Sequence, residues 1–129
     1  MQIKNKINFI VIFFTIQFLI TLGVYAGEFN IKAKEVIIDK DNKILIGIGN
    51  VKAEDEEGKI IYADKITYNE INKFLLAEGS VKVNDVDGNN LTSNKVTYDK
   101  INETIQTFGK TKVIHESGYQ TISKNILYN

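Results

Sequence analysis

The chain has 129 residues and sets 16 basic side chains against 16 acidic ones, so it carries no net charge at pH 7. Every base is a lysine; Arg, Cys, Pro and Trp are absent, and His115 is the single histidine. This inventory excludes a disulfide framework and a thiolate metal site. It makes a histidine-based triad a poor expectation, and it lacks the clustered positive charge that nucleic-acid binding needs. No catalytic group, metal or cofactor is expected, and the chain reads as a non-enzyme.

Residues 1–26 read as a targeting segment. Lys4 and Lys6 form a basic start, 7–24 is almost wholly apolar, and Val24-Tyr25-Ala26 places small residues where a signal peptidase cuts. The apolar run exceeds the roughly 7–15 residues of a usual signal core and approaches the ~20 that span a bilayer. A cleaved signal peptide over 1–26 is the first expectation, and a retained inner-membrane anchor is the alternative. Both put the domain 27–129 outside the cytoplasm, because the lysines keep the N-terminus inside. The exported part then holds 14 lysines and all 16 acids, so the neutral balance describes no real surface.

From Ile31 onward the sequence repeats every 30 residues without a gap. Gly49, Gly79 and Gly109 form one column, and Gly58, Gly88 and Gly118 another. Ala33, Ala63, Ser93 and Ser123 stay small; Ile38, Tyr68, Tyr98 and Tyr128 stay large; Lys52, Lys82 and Lys112 recur. A constant period of this length marks stacked supersecondary units, here three full rows and the start of a fourth. Within a row, two stretches rich in Ile, Val, Tyr and Thr are separated by Asn/Asp/Gly clusters, which predicts strand, turn, strand, turn. No stretch after residue 26 has a sustained helical period.

Alternation assigns the faces. Leu75, Ala77, Gly79, Val81 and Val83 share one side of a strand, with Glu78, Ser80 and Lys82 on the other. In the preceding strand Ile61 and Ala63 have the opposite parity to Ile66 and Tyr68, so a bulge or bend is predicted near Asp64-Lys65. The mid-strand glycines point to the same bend. The expected fold is all-β: an open-ended, twisted antiparallel sheet folded over on itself around one apolar interior. Its end strands lack proline, the usual edge blocker, and 125–129 stop within a repeat. Both features favour end-to-end joining to a domain of similar shape, or a longer chain of which this is the front part.

Other patterns read as plain structure. Glu54-Asp55-Glu56-Glu57 is expected at a solvated hairpin tip. Asp85-x-Asp87-Gly88 reads as a turn, since the spaced ligands of a calcium loop are missing. His115 reads as incidental.

Taken together, Gly79-Ser-Val-Lys-Val83 and the preceding Ile61-Tyr-Ala-Asp-Lys-Ile-Thr-Tyr68 resemble the OstA-like family of lipopolysaccharide transport proteins, over essentially all of 31–129. The first row departs with Lys34-Glu35 and Ile38, and the third has Thr111 where the pattern has valine. The resemblance implies a β-jellyroll that carries lipopolysaccharide across the periplasm, acyl chains inside and similar domains joined edge to edge or by self-association. Membrane contact is then expected only through the N-terminal segment or partners. The candidate groove lining is Leu45, Val51, Ile61, Ile66, Tyr68, Leu75, Val81, Val83, Ile105 and Val113. A structural or adhesive solenoid with a filled core, and an anchored component of the same transport system, are the competing expectations.

Overall fold

A computed structural model describes residues 22–26 and 29–129. The expected signal segment lies outside the described residues up to position 21. Its last five residues form a strand, β1 (Leu22–Ala26), antiparallel to β2 (Phe29–Ala33). β3 (Glu35–Asp39) follows, then four long strands: β4 (Ile44–Asp55), β5 (Ile60–Asn69), β6 (Phe74–Asn84) and β7 (Asn90–Asp99). The third row breaks its second strand into β8 (Thr104–Phe108) and β9 (Lys110–Ile114), and β10 (Gln120–Lys124) and β11 (Leu127–Tyr128) complete the chain. All 11 strands belong to one open antiparallel sheet, and no helix occurs among the described residues.

β4, β5 and β6 are each broken at the middle by a register shift: between Ile48 and Val51, between Tyr62 and Lys65, and between Glu78 and Val81. The second of these is the bend that the parity switch at Asp64-Lys65 predicts. At Gly79-Ser80 both residues have positive φ, 83° and 46°, a conformation glycine adopts freely and serine only under constraint. Two residues there oppose one on β7, which kinks the strand.

The kinks divide the sheet into two layers. β2 pairs only with 52–55 of β4, whereas β3 pairs with 44–48. β9 likewise pairs with 90–92 of β7, and β8 with 95–99. The first layer therefore holds β1, β2, the halves of β4–β7 next to the 55–59 and 85–89 turns, β9 and β10. The second holds β3, the other halves, β8 and β11. Their inner faces meet: Phe29 of the first layer packs edge-on against Tyr68 (centroids 5.0 Å apart) and Tyr98 (6.1 Å) of the second. One cluster of buried side chains joins both layers, from Phe29 and Ile31 to Val96, Tyr98 and Ile105. A sheet that folds over in this way buries its apolar side against itself, which is how about 100 residues without disulfides form a core.

The turns are as regular as the strands. In the first layer Asp55, Asp85 and His115 stand at the same place; the backbone N–H and C=O of each bond to the residue four on and to the glycine three on. In two of them the aspartate also accepts turn N–H groups through Oδ1: Glu57 (3.0 Å) and Lys59 (2.8 Å) on Asp55, Asp87 (3.0 Å) and Asn89 (2.9 Å) on Asp85. The second-layer turns use Asp39 and Asp99 in a similar way, and hydrogen bonds from Asn42 and Asn102 hold their carboxyls below the ordinary aspartate range.

One sequence expectation is corrected. The acidic run 54–57 is not uniformly solvated: the Asp55 side chain is 0% exposed, and its Oδ2 accepts no hydrogen bond. The compensating charge is Lys100 Nζ at 3.7 Å, from a second-layer turn. Lys100 also lies over the Phe29 ring (5.2 Å), and Lys59 lies over the Tyr98 ring (4.3 Å) and donates to its hydroxyl (3.3 Å). Burial pushes the Tyr98 phenol up, partly opposed by the neighbouring Lys100 charge. These contacts, between 29–59 of the first layer and Tyr98 and Lys100 of the second, close the gap between the layers there.

Candidate functional site

Toward the third row the layers part. A cleft of about 350 Å³ opens between them, floored by Val83, Leu91, Ile105 and Val113 and walled by Ile126 and Tyr128. Lys59, Glu57, Asp85, Asp87, Asn89 and His115 stand around its mouth. The opening has a local cause. Asp85 occupies the position of Asp55 but, among the described residues, forms no ion pair across the gap. Tyr128, in the column of Tyr68 and Tyr98, is 57% exposed, whereas those two are buried. His115 replaces the turn aspartate altogether and stacks on Tyr119 at 4.0 Å.

The floor is apolar, but the interior beside it becomes hydroxylic. Where the second row packs Ala77 and Val81, the third has Thr107 and Thr111, both fully buried. Thr111 Oγ1 donates to Thr107 Oγ1 (2.7 Å) and lies 3.1 Å from Ser93 Oγ; Ile126 N–H donates to Thr107 Oγ1 (2.8 Å). Thr107 N–H in turn donates to the Ile126 carbonyl (2.9 Å). Buried hydroxyls must be paired, and this cluster does so while pinning the start of β11 beside the cleft.

Of the expected lining residues, Val83, Ile105 and Val113 reach the cleft. Leu45, Val51, Ile61, Ile66, Tyr68, Leu75 and Val81 are brought together, but as closely packed core between the layers. The sequence reading missed Leu91, Ile126 and Tyr128. The signal was present: they fall in the columns of Ile61, Ile66 and Tyr68. Phe29, which fills the interior at the other end, precedes the first row and had no column to betray it.

Chemically the cleft can take a slender apolar group. Its volume lies at the small end of ligand sites, which run from about 300 to 1,000 Å³. Three carboxylates and one lysine at the mouth do not form a dedicated anion site, so the polar part of a ligand would stay in water. No family model matches this chain, and no curated protein does.

Proposed function

We propose that the protein is an exported lipid-handling β-jellyroll of the OstA-like kind, working in the periplasm in lipopolysaccharide transport and outer-membrane assembly. An acyl chain enters the cleft between the layers, and similar domains join it at the unpaired edges of β10 and β11. The observation that carries this reading is the cleft itself: an apolar, partly open extension of an otherwise filled interior, at the end of the sheet where β10 and β11 each pair on one side only. Each CH₂ withdrawn from water there contributes ~0.8 kcal/mol, enough for a few methylenes to hold a chain and few enough to release it. Exposed Ile122, Leu127 and Tyr128 beside those edges suit a partner's strand. Cleavage after Ala26 would remove β1 and leave β2, like β3, paired only to β4; N-terminal sequencing of the mature protein separates that case from a retained anchor.

A second reading rests on the packing of the first two rows. Apart from Val36 and Ile38 of β3, their interior apolar residues are buried, as in a structural solenoid that carries no lipid. A photocrosslinking residue at Val113 distinguishes the two in cells. Transport requires a lipopolysaccharide adduct at Val113 and none at the core position Leu75. Adducts to protein alone would favour the solenoid and remove the transport reading.

A further inference from the structure

The outer face of the first layer carries a row of cations that neither the core nor the cleft uses. Strand register aligns Lys32, Lys52, Tyr62, Lys82, Thr92 and Lys112, one residue from each successive strand, and ends on Ile122 of β10. With ~4.8 Å between strands the row runs about 29 Å, and Lys52, Lys82 and Lys112 recur about every 10 Å. Lys110 and Lys124 pair across β9 and β10 one outward step along. Glu54, 3.8 Å from Lys52, and Asp64, beside Gly79, are carboxylates of this region. Among the described residues, Lys82, Lys110 and Lys112 have no carboxylate within ion-pair distance. Between their strands the surface dips into a broad depression of about 480 Å³, bordered by these three lysines with Ser80, Thr92 and Asn94 and by no acidic residue. In the same row Tyr62 and Ile122 are 37% and 62% exposed, although each could have been polar without cost to the core.

We propose that this face docks on an anionic bilayer. The lysines meet lipid phosphates, and Tyr62 and Ile122 enter the interfacial zone, where tyrosine and aliphatic side chains are favoured among basic residues. The charge of the row selects an anionic partner, and its shape selects a surface. Exposed lysines each contribute only about fivefold near an anionic membrane, so a single small anion would gain little. A surface studded with phosphates engages the whole row at once. The proposal does not depend on what the cleft holds, and it adds a direct membrane contact to the one expected through the N-terminal segment.

Vesicle flotation of the full chain tests it, with vesicles of phosphatidylcholine alone or with phosphatidylglycerol mixed in. An N-terminal apolar segment that inserts into either kind would add to both, so the readout is the excess on anionic vesicles at low salt. The expected result is an excess that high salt abolishes and that Lys82→Gln/Lys110→Gln/Lys112→Gln lowers by about a hundredfold, from three factors of five. The control Lys43→Gln/Lys65→Gln/Lys95→Gln removes the same charge from the second layer and its turn, and should keep most of the excess. Circular dichroism confirms that both variants retain the sheet. Equal binding to the two kinds of vesicle, or equal losses in the two variants, would overturn the proposal.

Discussion

Asp55 and Asp85 offer a matched pair for separating a turn from a latch. Both close the same kind of turn, with the same backbone hydrogen bonds and two N–H groups on Oδ1. Only Asp55 is sealed from solvent and faces a lysine across the layers, Lys100 at 3.7 Å with its side chain 13% exposed. Replacing Asp85 with alanine removes charge-assisted turn bonds on a solvated group, a loss of about 1–2 kcal/mol. Asp55→Ala removes two turn bonds on Oδ1, one bond fewer than at Asp85, whose Oδ2 also accepts from Asn89 Nδ2, and in addition takes away the buried charge that faces Lys100 across the layers. Breaking a buried pair from one side costs about 3–5 kcal/mol, and the residual exposure of Lys100 places the total toward the lower end of that range. Urea unfolding monitored by circular dichroism, with unchanged m-values, measures both. The expected order is Asp55→Ala clearly below Asp85→Ala, by about 2 kcal/mol. Equal losses would refute a cross-layer latch and leave both aspartates as turn residues.

Three further outcomes follow from the same geometry. Gly79→Ala should cost more than Gly109→Ala, although both have strongly positive φ (83° and 88°): a methyl at Gly79 lands 2.9 Å from Asp64 Cβ, while Gly109 has nothing within 4 Å. Thermal melting orders them, and equal shifts would mean that backbone strain alone matters. Thr107→Val leaves the Ile126 N–H without its acceptor, a loss of about 1–3 kcal/mol, with faster hydrogen exchange at Ile126 as the readout. For Tyr98, burial raises the phenol above its unfolded value near 10. Its stabilising effect is therefore complete below about pH 10 and falls as pH rises through the folded value; Tyr98→Phe should flatten the alkaline limb of the stability curve.

The fold was legible because the period was strict. Columns at 30-residue spacing located the strands, turns and mid-strand bends, and the parity switch between Ala63 and Ile66 placed the fold line where the register shifts. What escaped were contacts between residues far apart in sequence. Asp55 sits among acids that look solvated, and nothing local reveals that Lys100 lies opposite. The same limit explains the candidate lining. Alternation says which side chains point inward, but not whether the facing layer is close enough to fill the space. Leu75 and Val83 share a strand face, yet one packs against the opposite layer and the other lines an opening whose mouth is set by turns. The lysine row is the converse case: Lys52, Lys82 and Lys112 were visible as a column, but their alignment with Lys32, Tyr62 and Ile122 required the register.

The central claim is that the third-row cleft takes an acyl chain. Its most direct test is an equilibrium titration of the full-length protein with a fluorescent acyl-chain lipid, comparing the native chain with Val113→Asp. A charge on the cleft floor should abolish the saturable binding component while the first two rows stay folded, since their core does not include that side chain. Undiminished saturable binding by the folded Val113→Asp protein would contradict it.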